Sequence, residues 1–347
     1  MARNATNTGL QQAKKAKNDE FYTILSDIER ELKHYKKHFK NKVVYCNCDD
    51  PRVSNFFHFF SYNFEMLGLK KLITTCYKNQ ERDLFSRHDS ESAIYLEYDG
   101  DKNKNNVPDP EEIGIKQLKG DGDFRSQESI ELLKQSDIVV TNPPFSLFRE
   151  YVAQLMAHDK KFLIIGTWNV ITYKEIFPLI QDNRLWIGIN SNRNFSGFIV
   201  PKHYPLDGTE ARIDENGNRI VSSNNTCWFT NLDNAKRHEE LILYKKYNPE
   251  EFPAYENYEA IEVSKTNDIP IDYKGIMGVP ITFMNKYNPE QFEIIWQASG
   301  NTRASAPKAI LERLNYQKHP EDRGGCTIVN GKRTYGRVLI KHKKVTK

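Results

Sequence analysis

DIVVTNPPF, residues 137–145, joins an apolar run to two consecutive prolines and an aromatic residue. Its first five residues are mostly β-branched and predict a buried strand. Strand-like and helix-like patterns alternate around it, from KVVYCNC at 42–48 to KFLIIGT at 161–167. This alternation predicts an α/β fold with a mostly parallel sheet and helices on both faces. In such folds ligands bind at the carboxyl ends of the strands, which is where TNPPF lies.

The residues after the strand are suited to holding a flat amino group. Asn142 precedes a proline and is therefore held extended, while Pro143 and Pro144 have a fixed φ and no N–H. The loop thus offers carbonyl acceptors with few competing donors. The Asn142 side-chain oxygen can accept one N–H of an exocyclic amino group, the Pro143 carbonyl can accept the other, and Phe145 can stack on the ring. The alternative is an ordinary strand-ending turn.

The charge is unevenly distributed. The 347 residues allow one large or two modest domains, and their net charge is only +4. Residues 1–18 contain Arg3, Lys14, Lys15 and Lys17 and no acid, and residues 331–347 contain seven Lys or Arg and no acid. Basic ends of this kind suggest that the tails hold a polyanion, because clustered Lys and Arg attract phosphates. Solubilising, disordered tails are the alternative.

Composition excludes several classes of protein. No apolar run approaches the length of a membrane span, and the N-terminal residues lack the apolar core of a secretory signal. The five cysteines include no CxxC pair, which favours a reduced, cytoplasmic protein. Cys46 and Cys48 alternate on a predicted strand without further ligands nearby, so we expect no metal. We also expect a monomer.

Several motifs carry a resemblance to a known family. TNPPF resembles the [DNS]-PP-[YFW] motif of S-adenosylmethionine-dependent amino-methyltransferases. The wider chain resembles the EcoRI-type DNA adenine-N6 modification methyltransferases of type II restriction–modification systems, in KNDEFYT (17–23), KVVYCNCDDPRVSNFF (42–57), GDGDFRS (120–126) and MGVPITFMNKYNPEQFEI (277–294). The resemblance implies a class I, Rossmann-like methyltransferase sheet, S-adenosylmethionine as cofactor and double-stranded DNA as substrate.

The resemblance also assigns roles to residues of the chain. Asn142, Pro143, Pro144 and Phe145 would be catalytic and hold the target amino group. The cofactor would be bound by six residues, with Tyr22 and Thr23 against its methionine part, Asp123 and Phe124 on its adenine, and Asp49 or Asp50 on its ribose or amino group. As an alternative, Asp50 could cap the following helix.

Two departures from the usual cofactor site concern the first two strands. The first strand leads into NCDDPR and not into a glycine-rich turn, and the second ends in Cys76-Tyr77-Lys78 without a carboxylate. The contact with the ribose hydroxyls must therefore come from elsewhere, with Asp49, Asp50 and Asp99 as the candidates.

A methyltransferase that acts on a base in duplex DNA must rotate the base out of the helix. Arg and Asn side chains read base edges, and two polar loops contain them. NSNRNFSG (190–197) holds Asn192, Arg193 and Asn194, and SGNTRASAPK (299–308) holds Asn301 and Arg303. Both could equally be ordinary surface loops. Arg3, Lys14 and Lys15 of the N-terminal arm would contact phosphates.

These features predict three regions: a basic N-terminal arm with the cofactor motif and a helix (1–41), a catalytic methyltransferase domain (42–235) and a smaller target-recognition region (236–347). The expected function is site-specific adenine-N6 methylation of DNA. The resemblance implies GAATTC as the site and protection from a cognate restriction enzyme. The alternatives are an amino-methyltransferase that acts on RNA or on a protein glutamine, and a DNA-binding relative without catalysis.

Overall fold

The computed structural model describes residues 21–48, 50–77, 93–102, 108, 113–191, 195–200, 206, 211–222 and 224–344. The strands within these residues are β1 Tyr22–Thr23, β2 Val43–Cys46, β3 Lys71–Thr75, β4 Ile94–Tyr98, β5 Lys116–Gln117, β6 Ile138–Thr141, β7 Lys161–Thr167, β8 Trp186–Ser191, β9 Phe198–Ile199, β10 Ala211–Ile213, β11 Arg219–Val221, β12 Thr226–Thr230, β13 Ala260–Glu262, β14 Ile276–Pro280, β15 Phe292–Ala298, β16 Ile328–Val329, β17 Lys332–Arg333 and β18 Arg337–His342. The α-helices are Leu25–Leu32, Lys36–Phe39, Asn55–Tyr62, Phe64–Leu67, Gln127–Gln135, Phe148–Ala157, Phe177–Gln181, Thr302–Ser305 and Lys308–Arg313. Turns of 3₁₀-helix are Phe145–Leu147, Trp168–Thr172, Ala235–His238, Thr266–Asp268 and Ile281–Lys286.

The chain divides into two compact units. The first contains the described residues up to Val170 together with those of Ile187–Asp233, and the second contains Ile171–Trp186 and the described residues of Asn234–Lys347. The short helix Phe177–Gln181 therefore belongs to the second unit, although its sequence neighbours on both sides belong to the first. Its Phe177 ring packs edge-on against Trp296 of β15.

The larger sheet of the first unit has eight described strands in the order β5-β4-β3-β2-β6-β7-β12-β8. β3, β2, β6 and β7 are parallel neighbours. β2 and β6 are buried along their whole length, which explains their continuous apolar sequences, because a strand covered on both faces has no solvent side. The α/β class expected from the sequence is confirmed.

The sheet is mixed, which differs from the mostly parallel arrangement that the sequence led us to expect. β4 is antiparallel to β3, β5 to β4, and β12 to β7. The alternating burial of β4 agrees with this, since a strand of an antiparallel pair commonly packs only one face on the core. The segments AIYLEYDG (93–100) and IGIKQLKGDG (113–122), whose sequences predict the two arms of a hairpin, do pair with each other. Only Lys116–Gln117 of the second arm is strand.

Helices cover both faces of this sheet, as expected. Phe56 of the helix Asn55–Tyr62 packs against Trp228, and Phe148 of the helix Phe148–Ala157 packs against Phe229. Trp228 and Phe229 are consecutive residues of β12, and successive side chains of a strand point to opposite faces. The two helices therefore lie on opposite sides of the sheet.

Helix ends follow the signals in the sequence. Ser54 caps the helix Asn55–Tyr62 by accepting from the Phe56 and Phe57 amides, and Ser126 caps Gln127–Gln135 by accepting from the Ser129 amide. Gly68 ends the helix Phe64–Leu67 in the left-handed conformation, with φ of 61°.

A smaller antiparallel sheet of the first unit, β1-β9-β11-β10, contains part of the DEFYT motif. Tyr22 pairs with Ile199, and Thr23 pairs with Phe198. β10 and β11 are the arms of the hairpin predicted from Asn216-Gly217.

The second unit contains a four-stranded sheet in the order β13-β14-β18-β15 and the two-stranded hairpin β16-β17. The apolar segments MGVPITFM (277–284) and FEIIW (292–296) predict short strands, and the structure has β14 and β15 there. The basic C-terminal segment is not a free tail, because β18 lies between β14 and β15 and buries Val338, Leu339 and Ile340. The three apolar residues are consecutive and do not alternate with charged ones, which is typical of a strand covered on both faces. β18 is accordingly an interior strand of the sheet.

Candidate active site

Two asparagines follow neighbouring parallel strands at the same edge of the large sheet. β2 and β6 run side by side, with Val44 beside Ile138. Asn47 comes directly after β2, and Asn142 comes directly after β6. The chain continues from β2 to β3 on one side of this pair and from β6 to β7 on the other side, so the strand order reverses between β2 and β6. Such a switch point is where open α/β sheets bind ligands.

The Asn142 side chain is buried and has one unsatisfied acceptor. Its Nδ2 donates to the Phe21 carbonyl oxygen over 2.7 Å, and this contact fixes the orientation of the amide because a carbonyl can only accept. The Asn142 Oδ1 then has no hydrogen-bond partner within the described residues, although it is buried. Buried polar atoms are nearly always hydrogen-bonded, so this oxygen is available to a donor from outside the described residues.

The prolines leave a second acceptor beside the first. The Pro144 carbonyl accepts from the Leu147 amide at 3.0 Å and starts the 3₁₀ turn Phe145–Leu147. The Pro143 carbonyl oxygen accepts from no backbone amide of the described residues. Oδ1 of Asn142 and the carbonyl of Pro143 are thus the two oxygens that the sequence analysis assigned to the two N–H groups of an amino group.

Three aromatic rings surround this loop. Phe145 is half-buried, and its ring lies nearly parallel to that of Phe21, with centroids 6.3 Å apart and an interplanar angle of 16°. Phe198 of β9 meets Phe145 edge-on at 6.0 Å and Phe21 at 5.7 Å. Sequence analysis identified Phe145 but missed Phe21 and Phe198. The aromatic residue of DEFYT was the available signal for Phe21.

A buried hydrogen-bond network ties the ends of β2 and β6 together. Thr141 Oγ1 donates to the Asn47 carbonyl oxygen, and the Tyr151 hydroxyl donates to Asn47 Oδ1 at 2.5 Å. Burial raises the pKa of Tyr151 well above its ordinary value, so the hydroxyl stays a neutral donor. These residues were not recognised in the sequence, although an amide at the carboxyl end of a strand was a usable signal for Asn47.

The structure brings the DEFYT motif to the same edge of the sheet. Asn55, the first residue of its helix, donates to the Thr23 carbonyl oxygen at 2.7 Å. The side chain of Asn142 therefore binds the Phe21 carbonyl, and that of Asn55 binds the Thr23 carbonyl, two residues further along the same segment. The Thr23 hydroxyl is buried without a hydrogen-bond partner among the described residues. Tyr22, the other predicted cofactor residue of this motif, is half-buried.

The acidic candidates differ in their positions. Asp49 lies outside the described residues. Asp50 is buried and binds Arg52, whose Nη2 approaches its Oδ2 to 2.6 Å, and Ser54 rather than Asp50 caps the helix. Asp99 lies at the opposite edge of the sheet, because β4 is antiparallel to β3 and Tyr98 pairs with Leu72 near the start of β3. The suggestion that Asp99 contacts the ribose is therefore wrong.

The GDGDF loop packs against the carboxyl end of β3. Gly122 has φ of +76°, and a Cβ there would lie 2.1 Å from the Cys76 carbonyl oxygen. The following Phe124 is buried, with its ring 5.0 Å from that of Tyr151. Asp123 forms an ion pair with Arg125 at 2.7 Å, and hydrogen bonds from Arg125 lower the pKa of Asp123.

Asp123 nevertheless keeps a free acceptor position. Its Oδ1 accepts from the backbone amide and Nε of Arg125, and its Oδ2 accepts from Nη2 of the same residue. A carboxylate oxygen has two lone pairs. Oδ2 can therefore accept one more N–H, such as that of a purine amino group.

Two buried carboxylates hold the segment that carries one of the predicted base-reading loops. Glu31, on the helix that follows β1, accepts from the amides of Ile189 at 2.8 Å and Asn190 at 2.7 Å. Asp27 of the same helix accepts from the amide and the hydroxyl of Ser196, both at 2.8 Å. Burial raises the pKa of both carboxyl groups. The helix thus anchors the segment on both sides of residues 192–194.

Of the predicted DNA-binding residues, Asn301 and Arg303 are described, and both are exposed. They belong to the second unit, where Asn301 precedes the helix Thr302–Ser305 and Arg303 lies in it. The other predicted DNA-binding residues lie outside the described residues: Arg3, Lys14, Lys15, Asn192, Arg193 and Asn194.

Residues 9–343 match the family model described as adenine-specific methyltransferase EcoRI. The chain belongs to this family. The methyltransferase is 54% identical to the type II methyltransferase M.EcoRI of Escherichia coli over the full length of both chains. It is 40% identical to M.MgeORF184P of Mycoplasma genitalium and 38% identical to M.MpnI of Mycoplasma pneumoniae, each over 96% of this chain and 98% of the relative. Among solved structures, none matches significantly.

Family membership confirms the activity expected from the sequence. The protein is an adenine-specific DNA methyltransferase of the type II restriction–modification class. As a methyltransferase it requires a methyl donor. No helix in the described part of the enzyme is long and apolar enough to cross a membrane.

Proposed function

We propose that the enzyme transfers the methyl group of S-adenosylmethionine to N6 of an adenine that has been rotated out of duplex DNA, with GAATTC as its site. The observation that carries this proposal is the buried Oδ1 of Asn142, which has no hydrogen-bond partner within the described residues. An adenine amino group supplies the missing donor, and the Pro143 carbonyl accepts its second N–H. Both oxygens draw the amino hydrogens into fixed positions and direct the nitrogen lone pair out of the ring plane.

Phe145 completes the target site by stacking on the base. Its half-buried ring is supported by Phe21 and Phe198, so it is already in position before the base arrives. Asn47 and Tyr151 fix the strand ends beneath the loop and contribute to positioning. The chemistry requires no strong base, because the methylated amine loses its proton readily.

Residues at the same edge fit S-adenosylmethionine, which supplies an electrophilic methyl group when bound. The buried Thr23 hydroxyl has no hydrogen-bond partner among the described residues and can bond to the polar methionine part. Asp123 Oδ2 can accept from the adenine amino group of the cofactor, and Phe124 can contact its ring. Tyr22, Asp49 and Asp50 are proposed as further cofactor contacts.

The sheet of the first unit supports a class I, Rossmann-like assignment. When the two-residue β5 is left out and the other seven strands are numbered in chain order, they are arranged 3-2-1-4-5-7-6. The first five positions match the 3-2-1-4-5 part of the doubly wound fold. Residues 42–235 then form the catalytic domain, 1–41 the basic arm with the cofactor motif, and 236–347 the target-recognition region. Asn301 and Arg303 read the DNA in this region. The enzyme acts as a monomer, in the cytoplasm where cellular DNA lies.

The proposal is tested by incubating the enzyme with labelled S-adenosylmethionine and two duplexes, one with GAATTC and one with the same bases scrambled. After digestion the label should appear as N6-methyladenine, and only from the first duplex. Label on cytosine, or none on DNA, would overturn the proposed reaction. Equal labelling of both duplexes would overturn GAATTC as the recognition sequence but would still support the proposed reaction.

A further inference from the structure

Three segments of the second unit meet at one surface, which we call the basic loop surface: residues 299–303, 322–327 and 332–337. Ala298 pairs with Arg337 where β15 and β18 meet. The Arg303 amide donates to the Gly324 carbonyl oxygen at 2.9 Å, and the Thr334 amide donates to the Thr327 carbonyl oxygen at 2.9 Å. Hydrogen bonds thus join each segment to a neighbouring one.

The loops are packed backbone against backbone. Gly324 has φ of +88°, and a Cβ there would lie 1.7 Å from the Gly300 carbonyl oxygen. The carboxylate inside this arrangement, Asp322, is buried and accepts from the Gly325 amide at 2.6 Å and from the Tyr316 hydroxyl. These contacts hold the loops in one arrangement and keep the Asp322 carboxylate buried, away from the exposed surface.

Exposed cations on this surface lack carboxylate partners. Arg303, Arg323, Lys332 and Arg333 are all exposed, and none of them forms an ion pair within the described residues. Two other arginines of the same unit are paired: Arg313 with Glu293 at 2.8 Å, and Arg337, at the end of the third segment, with Glu262 at 2.6 Å. The surface therefore carries a local excess of positive charge that the chain itself does not neutralise.

An aromatic ring projects from the same surface. Tyr335 is 90% exposed, more than the other exposed large apolar side chains of the described chain. Its backbone is nonetheless well held, because its carbonyl oxygen accepts from Thr334 Oγ1 at 3.0 Å and from Arg337 Nη1 at 3.3 Å. Arg337 is in turn fixed by the buried Glu262. The ring is presented on a rigid support without intramolecular packing.

We propose that the basic loop surface binds DNA, with Tyr335 stacking on a base and Arg323, Lys332 and Arg333 contacting phosphates beside the base-reading Arg303. Cations aligned with an exposed aromatic ring match the two parts of a nucleic acid, its charged backbone and its flat bases. A protein partner would need an acidic and apolar counterpart and would not show a salt dependence set by counterion release. The inference rests on the proposed action on duplex DNA and extends it beyond Asn301 and Arg303.

The test measures binding of a fluorescent GAATTC duplex by anisotropy at several salt concentrations. Tyr335→Ala should raise Kd about 5- to 150-fold, the range that loss of one base stack gives. Its salt dependence should not change, and Tyr335→Phe should bind like the wild type. The double variant Arg323→Ala/Arg333→Ala should lower the slope of log K against log salt by about 1.8, since each phosphate contact contributes about 0.9.

Matched controls lie in the same unit and outside the three segments of the surface. Tyr244→Ala removes another exposed aromatic ring, and Lys265→Ala removes another exposed cation. Neither should change Kd or the salt slope. Thermal unfolding checks the fold, and Tyr335→Ala should unfold at the wild-type temperature because its ring is exposed.

Binding of Tyr335→Ala within twofold of the wild type would overturn the role of Tyr335. An unchanged salt slope in the double variant would overturn the role of the cations. Either result, with a wild type that binds and methylates the duplex, leaves the proposed function standing. A wild type that binds no duplex would overturn the proposed function itself.

Discussion

Asn142 and Phe21 are 121 residues apart in sequence, yet the amide of one donates to the carbonyl of the other over 2.7 Å. The contact joins the TNPPF loop to the DEFYT motif. It also decides which atom of Asn142 remains available, because Nδ2 is engaged and Oδ1 has no partner among the described residues. The orientation of the Asn142 amide is therefore a property of the folded chain and does not depend on a bound ligand.

Asn142→Ala should abolish most methyl transfer, because it removes the acceptor for the target amino group. Loss of one preorganised hydrogen-bonding group typically lowers kcat by about 100- to 1000-fold. Single-turnover assays measure the rate, and calorimetry should show S-adenosylmethionine binding near the wild-type value. Asn142→Asp keeps an acceptor oxygen but loses the donor to the Phe21 carbonyl, so its rate should lie between those of the wild type and Asn142→Ala. An alanine variant within tenfold of the wild type would contradict the role given to Asn142.

Phe145→Ala should weaken the hold on the rotated base by about 1–3 kcal/mol, the usual contribution of one aromatic stack. A duplex with a fluorescent adenine analogue at the target position reports the extrahelical base, and its signal should fall. Phe145→Tyr keeps the ring and serves as the control. An unchanged signal together with unchanged kinetics would show that Phe145 does not stack on the base.

Gly122→Ala should impair cofactor binding, because a Cβ at this position would collide with the Cys76 carbonyl oxygen. The GDGDF loop must then move, and a loss of about 1.4 kcal/mol raises Kd for S-adenosylmethionine about tenfold. Gly217→Ala is a matched control, since Gly217 has a similar φ of +78° but nothing within 4 Å of an added Cβ. Equal cofactor affinities in the two variants would show that the GDGDF loop is not part of the cofactor site.

Glu31 should make the stability of the enzyme depend on pH. Burial raises the pKa of its carboxyl group, so the folded chain holds this proton more tightly than the unfolded chain. The resulting stabilisation is fully present below the ordinary pKa of 4.5 and is lost as the pH rises through the raised value. Glu31→Gln removes this titration.

Urea unfolding of both proteins at pH 5 and pH 8 measures the effect. The free energy of unfolding of the wild type minus that of Glu31→Gln should decrease from the lower to the higher pH. Groups that titrate in both proteins cancel in this difference. An increase with pH would mean that the hydrogen bonds to the carboxylate from Tyr35, Ile189 and Asn190 outweigh its burial and lower its pKa.

The parts of the fold that depend on local pattern were predictable. β6 follows from the β-branched run before Asn142, and the hairpin β10-β11 follows from Asn216-Gly217. Ser54 and Ser126 cap their helices as serines before an amphipathic run commonly do. At the site, the two acceptors of the TNPPF loop followed from the chemistry of asparagine and proline alone.

Features set by distant contacts could not be predicted. β1 has only two residues, and it is a strand because Phe198 and Ile199 pair with it. Asp99 was misplaced because nothing local to β4 fixes its direction relative to β3. The roles of Asn47 and Phe21 depend on Tyr151 and Asn142, which lie 104 and 121 residues away.

The position of β18 has a consequence for synthesis of the enzyme on the ribosome. β14 and β15 both pair with β18 on the same sheet, so β14 cannot complete its ladder until Ile340 has emerged, and β15 cannot until His342 has. Until then each presents an open row of backbone donors and acceptors, the kind of edge that pairs with other chains. A nascent chain interrupted before Arg337 would be prone to aggregate, and the delay is a natural point for a chaperone to bind.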